Sequence, residues 1–242
     1  LDPLPDTPET SADDPTRRTI LAAGAAPLLA GGLAGLVSAC APRPAADLDD
    51  RKPVFFDRAE WRFINAWVDR LIPADATGPG AIEAGVPGFI DRQLAGPYGA
   101  GAYWYMSGPF RSDTPATLGY QAPHTPRALY RQAIAGLEAD VQRRRGASFS
   151  TLDAPARDAY LREVEAGEVA LEGVSSAAFF ALAWRNTREG YFSDPIHGGN
   201  RGMAAWRMIG FPGARADFTD WMDKPGAPYT LGPVSIGGRR LG

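Results

Sequence analysis

Proline and glycine fence this sequence into short apolar blocks, and every block with a period has the helical one. The chain has 242 residues, of which 28 are glycine and 22 proline. Between these breaks apolar residues recur at three- and four-residue spacing. No stretch alternates apolar and polar residues as a half-buried strand does. Asp57 to Ile72 is the first predicted helix. Asp57 and Glu60 have capping-box spacing, Trp61, Ile64, Trp67, Val68 and Leu71 share a face, and Pro73 stops it. A shorter helix runs from Val86 to Leu94. Thr125 and Pro126 open the longest one, as N-cap and first helical residue. It carries Tyr130, Ile134, Leu137 and Val141, and closes on Arg143 to Gly146, where basic residues and glycine suit a C-terminus. Pro155 to Glu165 follows, with Asp153 as cap. Ser175 to Arg188 holds Phe179, Phe180, Leu182, Ala183 and Trp184; a helix apolar nearly all round belongs at the centre of a bundle. Ala204 to Ile209 adds a turn or two. The fold class that follows is all-α: a helical bundle with long Gly/Pro- and aromatic-rich loops.

Two of those loops carry the residues most suited to meeting a partner. Residues 96–123 have no steady period but hold Tyr98, Tyr103, Trp104, Tyr105, Phe110 and Tyr120. Long ordered loops serve binding, and aromatic side chains anchor interfaces; the competing expectation is that the rings fold back over the chain's own core. Residues 190–213 hold Tyr191, Asp194, Pro195, His197, Asn200, Arg201, Trp206 and Phe211. Asp194 and Pro195 suit a turn in which the Asp side chain bonds its own backbone. Gly198, Gly199 and Asn200 suit positive φ, and Arg201 suits clamping a carboxylate or backbone carbonyls across an interface. Ser193, Asp194 and His197 invite a hydrolase reading, but a catalytic triad needs a geometry that neighbours in sequence rarely supply.

Composition narrows the chemistry further. The net charge is −3, without the basic face that a nucleic-acid partner requires. There is one cysteine, Cys40, and two histidines, His124 and His197. A single thiol forms no intramolecular disulfide, no Cys-ligated iron–sulfur cluster and no Cys-x-x-Cys-His haem attachment. Two scattered imidazoles are a poor start for a zinc site. The expectation is a chain with no catalytic, cofactor-binding or metal-binding residues of its own.

Residues 1–41 read as an export leader. Arg17 and Arg18 stand before an apolar stretch, Ile20 to Val37, rich in Ala and Gly, the pattern of a twin-arginine signal. Val37-Ser38-Ala39-Cys40 resembles a lipobox, which would acylate Cys40 and anchor the chain to a membrane surface. Ala39-Cys40-Ala41 equally fits a small-residue cleavage site, and a retained membrane anchor is the third reading. Residues 42–54 read as a linker, and 55–242 as a single helical domain. The expected location is the periplasm, at the outer face of the inner membrane, after passage through the twin-arginine translocase.

Three groups of residues carry a family resemblance. The first is Gly190 to Arg201, Gly-Tyr-Phe-Ser-Asp-Pro-Ile-His-Gly-Gly-Asn-Arg, continued by Trp206 to Gly213. The second is Leu71-Ile-Pro-Ala-Asp75, with Pro79 to Ala81, Ala84 to Val86 and Phe89 to Gly99. The third is Gly108 to Phe110, Gly119 to Gln121, and Thr125-Pro126. In order they span Phe55 to Ile236, and together they resemble gluconate 2-dehydrogenase subunit 3. That is the small subunit of membrane-bound FAD-dependent gluconate, 2-ketogluconate, fructose, sorbitol and glucose dehydrogenases. His197 stands where the pattern has Tyr, and Gly202 where it has Asp. The resemblance implies a subunit that does no catalysis alone and serves a complex oxidising CH–OH groups. FAD, with an iron–sulfur cluster as a further candidate, would sit in a large catalytic partner, and haem c in a multihaem cytochrome partner. The small subunit would help the flavin subunit mature, assemble and be exported. A free-standing exported lipoprotein with a binding role is the alternative.

Overall fold

The computed structural model describes residues 52–111 and 114–238. Arg17, Arg18 and Cys40 lie outside the described residues. Among the described residues six α-helices form: α1 (Arg58–Leu71), α2 (Val86–Ala95), α3 (Pro126–Arg145), α4 (Ala154–Glu165), α5 (Ser176–Phe192) and α6 (Ala204–Met208). There is no strand among the described residues, only an isolated parallel bridge between Gly213 and Val234. The all-α expectation holds.

Local chemistry starts the helices where the sequence says. Asp57 accepts from the amides of Ala59 (2.7 Å) and Glu60 (2.9 Å), and Glu60 accepts from the Asp57 amide (2.9 Å); this reciprocal box satisfies donors that a helix N-terminus otherwise leaves open. Thr125, Asp153 and Ser175 cap α3, α4 and α5 through their side-chain oxygens. Gly146 closes α3 in the left-handed conformation, at φ 66°.

The helix α5 packs against α1, α2, α3, α4 and α6, as its apolar circumference predicts. Trp67 of α1 is the centre of the core. Its ring lies 5.3 Å from Phe63, 5.3 Å from Phe179, 5.6 Å from Phe149 and 6.0 Å from Phe180. Arg70 joins α1 to α4 by a two-pronged pair with Asp158, at 2.7 and 2.9 Å. Buried Asp91 of α2 gathers the amides of Val54, Phe55 and Phe56 at 2.7–3.0 Å, which fixes where the chain enters the bundle.

The helix α5 runs one turn further than its sequence suggests, to Phe192 instead of Arg188. Gly190 reads as a breaker, but a Cβ there would lie 2.7 Å from the Phe89 ring. The glycine serves close packing against α2, and tertiary contact outweighs its weak helix propensity. This extra turn carries Tyr191 and Phe192 into the site.

Candidate functional site

Two segments far apart in sequence meet at the C-terminal end of α5. Leu71 to Pro79 leaves α1 and folds into a tight loop. Asp75 accepts from the amides of Thr77 (2.7 Å) and Gly78 (3.3 Å); these bonds hold its carboxyl below the usual carboxylate range. The Tyr191 hydroxyl donates to the Pro79 carbonyl at 2.6 Å, which staples the loop to α5. Burial raises the pKa of that phenol, so it stays a neutral donor. Gly78 lies so close to α6 that a Cβ there would be 2.6 Å from Met208 Sδ. Between loop and helices lies a cleft of about 330 Å³, lined by Leu71, Ile72, Pro73, Trp184, Tyr191, Phe192 and Met208 among others. Exposed Phe192 and Met208 form its rim, and Ile209 and Phe211, also exposed, follow Met208 in the chain. The Arg188 guanidinium lies 5.3 Å over the Trp184 ring, at the polar side of the cleft.

The segment from Ser193 to Phe211, which carries Met208 to the cleft, is held by hydrogen bonds to itself and its neighbours. The Ser193 hydroxyl donates to the Gly190 carbonyl at 3.2 Å. Asp194 caps a short 3-10 turn, Pro195–His197, accepting from the Ile196 amide at 3.0 Å; the turn expected there has formed. Asp194 also accepts from the Ser235 hydroxyl and the Ile236 amide, both at 2.7 Å. Burial opposes its charge, but the two amides and the hydroxyl outweigh that and hold its carboxyl below the usual range. Gly198 takes φ 88° and Asn200 φ 43°. Gly199 is there for another reason: a Cβ would overlap the Gly190 carbonyl oxygen. Asn200 is fully buried; it donates to the Ser193 carbonyl and accepts from the Ala205 amide, both at 3.0 Å. The Arg201 amide donates to the Ala84 carbonyl at 3.1 Å, and its side chain lies along Gly85. The Trp206 indole donates to the Phe192 carbonyl at 2.8 Å and stacks edge-on with Phe211 at 5.0 Å.

A prediction follows for Asn200. Asn200→Ala strands the Ala205 amide in the interior and places alanine in the left-handed region, for a combined loss of about 3 kcal/mol. Urea denaturation measures it. Asn200→Gly loses less, because glycine takes positive φ freely.

The aromatic loop divides between the two expectations. Tyr98 turns inward and donates to Asn186 at 2.9 Å; Asn186 in turn donates to the buried Tyr130 hydroxyl at 3.0 Å. Trp104 stacks between Tyr98 (6.0 Å) and Tyr120 (4.6 Å), and the Tyr120 hydroxyl donates to the His124 carbonyl at 2.7 Å. Tyr103 and Tyr105 point out, 79% and 82% exposed, and Phe110 is at the surface. Trp104, Tyr105, Leu118, Tyr120, Gln121 and Arg185 line a second depression of about 580 Å³.

The residues singled out from sequence therefore separate by position. Tyr103, Tyr105, His197 and Phe211 face outward, and Pro195 and Asp194 sit half-buried at the rim. Tyr191, Asn200 and Trp206 are buried and spend their polar groups within the chain, so they shape the surface without being on it. Phe192, Ile196, Met208 and Ile209 were missed. Only Phe192 had a signal, its four-residue spacing from Arg188 and Trp184, which tells once α5 continues past Gly190; Ile196, Met208 and Ile209 lie outside α5.

Chemically the cleft offers apolar surface with Asp75, Thr77 and Arg188 at its edge. The Ser193 hydroxyl and the Asp194 carboxylate are engaged with Gly190 and with residues 196, 235 and 236. Among the described residues no group of three or more His, Cys, Asp or Glu is placed to hold a metal ion. No described helix is long and apolar enough to cross a membrane. The arrangement suits docking: apolar concavity, aromatic rim and a few orienting polar groups are the anatomy of an interface core. The sequence model of the family described as gluconate 2-dehydrogenase subunit 3 matches residues 58–213. No curated protein and no solved structure matches the chain.

Proposed function

Because the chain belongs to the gluconate 2-dehydrogenase subunit 3 family, and is thus a small subunit of a gluconate 2-dehydrogenase-like complex, we propose that it is a non-catalytic docking and escort subunit. Its partner in this reading is a large FAD-dependent dehydrogenase subunit acting on a sugar acid, of the gluconate or 2-ketogluconate type. A multihaem cytochrome c subunit completes the complex and takes up the electrons. The observation that carries the reading is the apolar cleft and its exposed rim. Residues 71–79 and 184–208, both inside the family match, close together to make it. Phe192, Ile209 and Phe211 are large apolar side chains on a surface fixed by internal hydrogen bonds, so burying them under a partner gains hydrophobic free energy at little ordering cost.

Export belongs to the same proposal. Arg17 and Arg18 form a twin-arginine signal that carries the folded, flavin-loaded partner out with this chain, and Cys40 is the candidate site for a lipid anchor. Changing Arg17 and Arg18 to Lys is expected to leave both this chain and the flavin subunit in the cytoplasmic fraction. Periplasmic dehydrogenase activity with an artificial electron acceptor reads the outcome. Export of the flavin subunit at its usual level would overturn the escort role.

A further inference from the structure

Beyond Pro212 the chain makes a loop that closes on itself. Its base is the parallel bridge, in which Ala214 donates to the Val234 carbonyl at 2.7 Å and Val234 donates to the Pro212 carbonyl at 3.1 Å. Inside it Tyr229 packs edge-on against Phe218 (5.4 Å) and Trp221 (4.9 Å). Arg215 and Lys224 cover the outer ring faces at 5.1 and 4.4 Å. The Trp221 indole donates to the Ala227 carbonyl at 3.2 Å. Such a loop is ordered by its own side chains before it meets anything. Yet Phe218, Met222 and Leu231 stay exposed on it.

The second fastening is Asp194. Its carboxylate holds Ser235 and Ile236 just after the bridge, and a Cβ on Gly237 would lie 3.3 Å from Ile196 Cγ2. The base of the loop therefore adjoins Ile196, Phe211 and Ile236, all exposed, and it reaches the cleft rim through Trp206, which packs on Phe211, lies against Gly213 and bonds the carbonyl of cleft-lining Phe192. The loop lies outside the residues of the family match.

We infer that residues 214–233 are a preformed docking arm for the same dehydrogenase subunit, held in its docking pose by the Asp194 latch. This rests on the proposed docking role of the cleft. Continuity with that rim selects the occupant, and prior ordering of the arm removes much of the entropic cost of binding. Asp194 acts here as a positioning residue. Its carboxylate receives amide and hydroxyl donors from residues 235 and 236 that an asparagine NH₂ would oppose.

The test uses the full chain co-expressed with its dehydrogenase subunit, with the dissociation constant measured by biolayer interferometry. Met222→Asp and Leu231→Asp are expected to weaken binding at least tenfold with the thermal midpoint unchanged. Asp194→Asn is expected to weaken it too and to speed amide exchange at Val234 and Ile236. Phe192→Asp, in the cleft, is the parallel arm. If Phe192→Asp weakens binding and the three others do not, the inference is overturned and the docking cleft stands. If none of them weakens binding, the cleft reading fails and the inference with it. If Met222→Asp abolishes self-association of the isolated chain and leaves dehydrogenase binding intact, the arm serves a second copy, which also overturns the inference.

Discussion

Trp67→Ala is expected to remove about 4 kcal/mol of stability, the scale of a fully buried large aromatic cut to a methyl. That is a large fraction of the stability of native domains, about 5–15 kcal/mol. Trp67 is completely buried and is the ring on which α1, α5 and the Phe149 turn converge. A cavity there loosens every one of these contacts together, and neighbouring rings cannot collapse into it without leaving their rotamers. Trp67→Phe is expected to cost less than half as much. It keeps a ring in place, and it deletes an indole N–H that finds no acceptor in the structure, a group whose burial is unfavourable. Urea unfolding of both variants, followed by circular dichroism, checks the order.

Phe192→Asp is expected to weaken association with the dehydrogenase subunit about 100-fold, or about 2.7 kcal/mol, with the fold retained. The fold survives because the bond made at this position is a backbone one, from the Trp206 indole to the Phe192 carbonyl; a carboxylate at the helix C-terminus costs only about 0.3–1 kcal/mol. Association suffers because a charge placed on an apolar rim must be stripped of water without a partner to receive it. Ile209→Asp, at the exposed residue next to cleft-lining Met208, is expected to act the same way. Biolayer interferometry on refolding-competent variants reads both. A variant with normal affinity and a normal unfolding curve would remove its residue from the interface.

The helices were legible because each one announces its ends. Asp57 with Glu60, Thr125 with Pro126, and Asp153 are local signals, and the caps they predict are the caps that form. The end of α5 was not legible. Whether Gly190 breaks a helix or admits a neighbour depends on Phe89, about a hundred positions away, and nothing local encodes that contact. Asp194 shows the same division. Its bond to the Ile196 amide follows from the Asp-Pro turn chemistry, but Ser235 and Ile236 come to it through the bridge at Gly213, which no pattern of alternation foreshadows. The aromatic loop was legible as a set of rings and not as orientations. Tyr98 turns inward because Asn186 offers a buried acceptor, whereas Tyr103 and Tyr105 have none and stay in water. The cleft was the least legible feature, since its walls come from Leu71–Pro79 and Trp184–Met208, and only the packed bundle brings them together.

Hydrogen–deuterium exchange on the purified complex and on the free chain tests the docking claim most directly. Amides of 72–80 and of 192–211 are predicted to slow on complex formation, while the exposed faces of α3 and α4 exchange as before. Equal exchange at 72–80 and 192–211 in the two states, with protection gathered on α3 and α4 instead, would contradict it.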